Sequence, residues 1–261
     1  FGGDTFSWAT FEKRCWGVAT LLFDLGVRAG DRVAYLGLNS HRYFECYYAP
    51  SRIGAILVPL NIRLSVAELV ECVADCTPKA LIMDPHLVHE ARSIASTCPS
   101  IEVLVCATSE AAPEGMHAYD PVAGQHPSAE PDHFNGLASQ DSDTIVIFYT
   151  SGTTGRPKGA TLTHRNLMMM TLSYFADLES LSHGDCIIHS APLSHGSGLY
   201  GIPHLAKAAN QVVPESGGFD PLEINELLVT WSSSGFFFAP TMIVRLLASD
   251  AVGGKARANL R

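Results

Sequence analysis

The sequence has 261 residues, of which 47% are hydrophobic, and this predicts one large domain or two small domains with a well-buried core. The formal net charge of −9 argues against nucleic acid as a partner and against a polybasic membrane anchor, because both require a basic face. The longest apolar stretch, which begins at Gly235, is too short and too interrupted for a transmembrane segment, and no signal peptide is visible.

The seven cysteines are odd in number and scattered, mostly in apolar segments. This usage predicts reduced, buried thiols, as in a cytoplasmic protein. Cys72 and Cys76 share one helical face, which raises the possibility of a metal site. No second pair stands at metal-ligand spacing, so we interpret both as small core residues.

Strand and helix patterns alternate through the first part of the chain. An apolar stripe from Phe11 to Leu22 predicts a helix that ends at Gly26. Ser65 and Glu68 form a capping-box pattern at the start of another helix. The predicted strands are 32–38, 55–60, 79–84 and 101–107, and the predicted helices follow Asn39 or cover 66–76 and 86–95.

The alternation resumes after a polar break. Residues 107–143 are rich in Ala, Pro, Gly, Ser and acids, which predicts a long surface connection. The later predicted strands are 144–150, 185–190, 210–213 and 235–238, and the helices are 165–178 and 221–231, the second with an Asp220/Glu223 capping pattern. Repeated strand–helix units predict an α/β fold with a parallel, helix-covered sheet.

The stretch "TSGTTGRPKG", from Thr150 to Gly159, combines glycines, hydroxyls and two cations directly after an apolar strand. Glycines let backbone N–H groups approach an anion, while Arg156 and Lys158 add positive charge. A helix that begins near His164 is expected to add its positive end. The spacing differs from a Walker A loop, and the density of donors favours a polyphosphate-binding loop over a plain surface turn.

This stretch resembles the signature loop of the adenylate-forming superfamily, which includes acyl-CoA synthetases, luciferases and peptide-synthetase adenylation domains. "GVRAGDRVAYLGLNS", "IGAILVPLNIRLSVAEL" and "APTMIVRLL" resemble further landmarks of that family, in the expected order. The resemblance implies largely parallel β-sheets flanked by helices, layered αβαβα. It also implies that residues 1–261 form the N-terminal AMP-binding region, without the later part of the large domain and the small C-terminal domain.

The resemblance implies a reaction and its co-substrates. A fatty or aromatic carboxylic acid would react with ATP to give an acyl-adenylate and pyrophosphate, and CoA would then accept the acyl group. Mg²⁺ is expected beside the phosphates, although no protein ligand for it is predicted. The expected phosphate-binding residues are Thr150, Ser151, Gly152, Thr153, Thr154, Gly155 and Lys158, of which Thr154 and Lys158 are also expected to be catalytic.

A second constellation is "PLSHGSG", which resembles a stretch beside the acyl site of the family. By this resemblance His195 is expected to border the acyl carboxylate and to take part in catalysis, with Gly198 at the same site. Phe238 lies just before "APTM" and is expected to contact the acid or to pack in the core. A purely structural role is the alternative for His195.

Two other functions are considered. Gly196, Gly198 and Gly201 form a G-x-G-x-x-G pattern with Glu215 nearby, as in a dinucleotide-binding oxidoreductase, but five residues, 191–195, separate the strand from the first glycine and Pro203 follows. A non-catalytic nucleotide-binding fragment is the other alternative, because the family's adenine, ribose and C-terminal lysine motifs are not found. We therefore expect the chain alone to be inactive, and exposed apolar surface favours a homo-oligomer.

Overall fold

The computed structural model describes residues 3–124, 139–150, 156–249 and 254–261. Its contacts divide the chain into two compact units. The N-terminal unit comprises Phe6–Gly37 and Arg42–Arg165, and the C-terminal unit comprises Phe1–Thr5, Leu38–His41 and Asn166–Arg261.

The N-terminal unit is built on a seven-stranded sheet, counted over the described residues. Its strands are β1 (Arg32–Leu36), β2 (Ile56–Pro59), β3 (Ala80–Met83), β4 (Val103–Cys106), β5 (His117–Ala118), β6 (Thr144–Thr150) and β7 (Lys158–Thr163). Their order is β5-β4-β3-β1-β2-β6-β7, and all neighbours are parallel except β6 and β7. The predicted, largely parallel α/β sheet is therefore confirmed.

Five helices accompany these strands along the described chain: α1 (Trp8–Asp24), α2 (His41–Cys46), α3 (Val66–Cys76), α4 (Val88–Thr97) and α5 (Asp120–Ala123). The capping box that opens α3 is confirmed, because the Ser65 hydroxyl accepts from the Glu68 N–H and the Glu68 carboxylate accepts from the Ser65 N–H at 2.8 Å. The polar start fixes which face of α3 turns inward. That face packs in the apolar cluster shared with β1, β2 and β3.

The cysteines behave as core residues. All seven are buried free thiols. Cys72 and Cys76 lie on the buried face of α3, and burial raises the pKa of each thiol to about 11. Both side chains belong to the apolar core cluster around α3, so the interpretation as core residues is confirmed.

The structure differs from the predicted surface connection at 107–143. The described part of this span contains β5 and α5, and Tyr119 between them is completely buried. The Tyr119 hydroxyl donates to the carboxylate of Glu45 at 3.0 Å. A strand of two residues is too short to show an alternating pattern in the sequence, so β5 is recognised only from its tertiary contacts. Residues 125–138 of the span lie outside the described residues.

The C-terminal unit contains a three-stranded parallel sheet of order β10-β8-β9, counted over the described residues. Its strands are β8 (Cys186–Ile188), β9 (Asn210–Val212) and β10 (Ser234–Phe236), and the helices of this part of the chain are α6 (His164–Ser173), α7 (Gly196–Ala206), α8 (Pro221–Thr230), α9 (Pro240–Ala248) and α10 (Gly254–Asn259). An apolar cluster that includes Ile188, Ile224 and Leu228 forms the core of this unit.

One local prediction in this part needs correction. Asp220 caps α8 as predicted, but the Glu223 carboxylate accepts from the Ser216 hydroxyl instead of closing a capping box. Among the described residues, no helix is long and apolar enough to cross a membrane.

Candidate functional site

The predicted phosphate-binding stretch joins two strands of a hairpin. Thr150 ends β6, Lys158 begins β7, and the two residues are partners in the antiparallel ladder. Both are exposed. The other predicted phosphate-binding residues lie outside the described residues: Ser151, Gly152, Thr153, Thr154 and Gly155. The two described residues therefore mark the point where the stretch leaves and re-enters the sheet.

The helix predicted to begin near His164 is confirmed, since α6 begins at that residue. The six residues of β7 lie between the loop and α6. At about 3.3 Å per residue, β7 separates Lys158 from Thr163 by roughly 17 Å. The field of a helix dipole falls off within the first turn, so the positive end of α6 does not reach Lys158.

The base of the hairpin is tightly packed. Tyr149 lies opposite Gly159 in the ladder, and its hydroxyl donates to the Asp75 carboxylate at 2.5 Å. A Cβ added at Gly159 would lie 2.8 Å from a methyl carbon of Ile147. Burial and the bond to Asp75 raise the pKa of Tyr149, which keeps its hydroxyl a donor. The lack of a side chain at Gly159 is thus explained by packing across the hairpin rather than by approach to an anion.

The second predicted constellation opens α7 in the C-terminal unit. His195 is the N-cap residue of α7, it is exposed, and its Nδ1 lies 2.9 Å from the Ser194 hydroxyl. Gly198 is buried in the first turn. A Cβ added at Gly196 would clash with the ring of Phe237, so this ring lies directly on the start of α7.

The aromatic neighbour of this segment is Phe237 rather than Phe238. The ring of Phe237 is 4.9 Å from that of Tyr200 on α7. Phe238 stacks on Phe236 at 4.4 Å and packs against the core cluster. Successive side chains of an extended chain point to opposite sides, which separates the two residues. Contact between Phe238 and the acid stays a prediction. Phe237 is the aromatic residue at the start of α7 that sequence analysis did not identify.

A buried histidine that sequence analysis did not identify is hydrogen bonded to the first turn of α7. His189 is completely buried, with Nε2 at 2.6 Å from Gln211 Oε1 and Nδ1 at 2.9 Å from Ser197 Oγ. Gln211 Nε2 donates to the Gly201 carbonyl, which fixes the orientation of the amide. Gln211 Oε1 therefore accepts from Nε2–H, and Nδ1 accepts from the Ser197 hydroxyl. Burial lowers the pKa of His189 to about 4, so the ring is neutral near pH 7.

This histidine predicts a pH dependence of stability. The unfolded chain binds the proton near the ordinary pKa of 6.5, whereas the folded protein binds it only near 4. Between these values the unfolded state holds more protons, so acidification from pH 6.5 to 4 should cost roughly 3 kcal/mol of unfolding free energy. Thermal unfolding of the His189→Gln variant should show a much flatter acid limb; His204, whose pKa burial also lowers, accounts for the remainder. An unchanged acid limb would contradict the assignment.

The comparisons with known proteins decide the family. A family model described as AMP-binding enzyme matches residues 1–261. The chain belongs to this family. It is 33% identical over 252 residues to a feruloyl-CoA synthase of Amycolatopsis sp., covering 95% of this chain and 46% of that protein. It is 34% identical to a long-chain-fatty-acid–CoA ligase of Thermus thermophilus, covering 78% of this chain and 36% of the ligase.

The fold agrees with this AMP-binding family membership. The crystal structure of ATP-bound MatB from Rhodopseudomonas palustris matches with a TM-score of 0.82 and 28% identity, over 99% of this chain and 49% of that one. The chain thus spans about half the length, or less, of the relatives it matches. The oxidoreductase alternative is rejected, because Gly196, Gly198 and Gly201 lie within α7 and not in a turn between a strand and a helix.

The described residues bear differently on the two expected ligands. Thr150 and Lys158 offer a hydroxyl and a cation at one exposed hairpin end, which fits a phosphate group. Within 3–124, 139–150, 156–249 and 254–261, no three His, Cys, Asp or Glu side chains come together as a metal site.

Proposed function

We propose that the complete protein activates a carboxylic acid with ATP and then transfers the acyl group to CoA. The observation that carries this proposal is the pair Thr150 and Lys158 at the end of the β6–β7 hairpin, in a chain of the AMP-binding enzyme family. Because the chain spans less than half of its first relatives, the activity is proposed for the longer protein, with residues 1–261 as its N-terminal region.

The chemistry explains why a cation belongs in this loop. A carboxylate oxygen attacks the α-phosphorus of ATP, the bond from that phosphorus to the bridging oxygen breaks, and pyrophosphate leaves with the bonding electrons. Negative charge therefore grows on the departing phosphates, where Lys158 and the hydroxyls and backbone N–H groups of the loop stabilise it. The sulfur of CoA then attacks the acyl carbon, and AMP leaves with its oxygen.

The acid is proposed to have an apolar body. Beside His195, the start of α7 carries the rings of Phe237 and Tyr200, which suit an aromatic or aliphatic group better than a charged one. The names of the relatives, a feruloyl-CoA synthase and a long-chain-fatty-acid–CoA ligase, support the same two classes. Incubation of the complete protein with ATP, Mg²⁺, CoA and a panel of both classes should yield AMP and one or more acyl-CoA products by mass spectrometry.

His195 is proposed to act on the acid rather than on ATP. It caps α7 from an exposed position, and its Nδ1 lies 2.9 Å from the hydroxyl of the neighbouring Ser194. His195→Ala should lower kcat/KM for the acid about tenfold or more and leave the KM for ATP nearly unchanged. Equal losses for both substrates, together with a lower melting temperature, would instead indicate a structural histidine.

A non-catalytic role is proposed for residues 1–261 when they are separated from the rest of the protein. The hairpin residues Thr150 and Lys158 can contact phosphates, but adenylation also requires the acid to be oriented against the α-phosphorus. The 261-residue chain, incubated with ATP, Mg²⁺ and the acid panel, should therefore form no AMP. Robust turnover by this chain would show that the essential residues all lie within it.

A further inference from the structure

One buried amide is bonded to three backbone groups of the segment that carries His195. Asn39 is 3% exposed. Its Nδ2 donates to the carbonyls of His189 and Ala191, both at 2.8 Å, and its Oδ1 accepts from the N–H of Leu193 at 2.8 Å. Both Nδ2 hydrogens and the carbonyl oxygen of this side chain are thus used on one stretch of chain, 150 residues away in sequence.

The segment needs such a partner because it has left the sheet. β8 ends at Ile188, and His189 N–H makes a last sheet-like bond to the carbonyl of Val212. From there to the start of α7, Ala191 and Leu193 are buried. A buried backbone N–H or C=O group without a hydrogen-bond partner costs free energy, and within a sheet a neighbouring strand normally supplies that partner. In this segment the side chain of Asn39 supplies the partners instead, at alternate residues.

At its α7 end, the same segment is held by the imidazole of His189. His189, whose carbonyl Asn39 holds, bonds through Nδ1 to Ser197 in the first turn of α7. The chain between them contains His195 and Gly196. Its position is therefore set by bonds at both ends, and Asn39 provides the bonds on the β8 side.

We propose that Asn39 is a positioning residue for acid binding. By fixing the backbone from His189 to Leu193, it sets where the His195 imidazole and the start of α7 stand relative to the acid. This inference rests on the proposed function, in which His195 contacts the acid. A misplacement of about 1 Å at such a site is enough to lower activity strongly. ATP binding, which is assigned to the hairpin, should be affected little.

The test compares two asparagines in the complete protein. Asn39→Ala removes all three bonds, whereas Asn61→Ala is the matched control, since Asn61 Oδ1 accepts from the N–H of Arg63, its near neighbour in a turn. Acid-dependent ATP–pyrophosphate exchange gives KM for the acid and for ATP. Asn39→Ala should raise KM for the acid about tenfold or more with ATP KM within about twofold, and Asn61→Ala should change neither.

A milder variant and a second readout keep the inference testable. Asn39→Ser retains one hydrogen-bonding group and should give a smaller increase in KM for the acid; it replaces Asn39→Ala if that variant does not fold. Hydrogen exchange of residues 189–197 should be faster in either variant. Equal increases of both KM values, or unchanged KM for the acid, would overturn the inference alone. If the unaltered protein shows no ATP–pyrophosphate exchange with any acid, the proposed function is overturned, and this inference with it.

Discussion

Lys158→Ala in the complete protein is expected to slow adenylation more than about tenfold, equivalent to a barrier higher by about 1.4 kcal/mol or more. Lys158 begins β7 opposite Thr150, at the exposed end of the hairpin that carries the loop. Its ammonium group is proposed to stabilise the negative charge that develops on the phosphates as pyrophosphate leaves. The initial rate of AMP formation at saturating acid and ATP measures the effect.

Lys13→Ala is the matched control for this variant. Lys13 is also an exposed lysine of the N-terminal unit, but it lies on α1. Loss of one positive charge from the surface should by itself leave the rate within about twofold, since exposed charges are screened by salt. If Lys158→Ala matches the unaltered protein with every acid, or if Lys13→Ala slows the reaction equally, the assignment of Lys158 to the phosphates is wrong.

Arg14→Met is expected to lower the unfolding free energy by about 3–5 kcal/mol, the largest stability effect that the structure predicts. Glu45 is completely buried, and its carboxylate accepts from Arg14 Nε at 2.5 Å. Arg14 also bonds to Asp120 of α5 at 2.6 Å. Without the guanidinium, the buried carboxylate of Glu45 loses its counterion, and α5 loses a link to α1. Thermal unfolding of the 261-residue chain should show a midpoint lower by about 10 °C.

Two further variants separate the buried charge from loss of the side chain. Adding Glu45→Gln to Arg14→Met removes the buried negative charge and should recover a large part of the lost stability. Arg52→Met tests an arginine whose ion pair with Glu12, at 3.9 Å, is largely open to solvent on the Glu12 side and whose guanidinium lies 4.2 Å from the centroid of the Trp16 ring; it should cost less than Arg14→Met, because it leaves no completely buried carboxylate without its counterion. If Arg14→Met costs no more than Arg52→Met, the network does not carry the stability assigned to it.

Much of the fold is predictable because several local signals agree with the tertiary structure. Ser65 and Glu68 mark the start of α3, and the cysteines on its inner face follow the helical period. The central strands of the sheet are continuous apolar runs, as burial on both faces requires. The hairpin, in contrast, is not predictable from this logic, because β7 is polar and mostly exposed and its pairing with β6 is a non-local contact.

Site residues that belong to a sequence motif can be predicted, whereas residues whose partners are distant in the sequence cannot. Because Phe236–Phe238 are three identical residues in a row, the sequence does not show which of them faces inward and which outward. The structure places the ring of Phe237 against Gly196. Asn39 is separated from its partners by about 150 residues, and a lone asparagine after a strand carries no signal of that bond. The residues that hold a site in place therefore require the structure, whereas the loop at 150–159 can be singled out from its composition, and its phosphate-binding role stays a prediction.

Isotope exchange between pyrophosphate and ATP tests the central proposal most directly, because it reports reversible formation of an acyl-adenylate without CoA. The complete protein, incubated with ATP, Mg²⁺ and labelled pyrophosphate, should move label into ATP only when a suitable fatty or aromatic acid is present, and Lys158→Ala should reduce that exchange strongly. Label that enters ATP equally well without acid, or no exchange with any acid of the two classes, would contradict the proposal that this protein is an acid-activating member of the AMP-binding enzyme family.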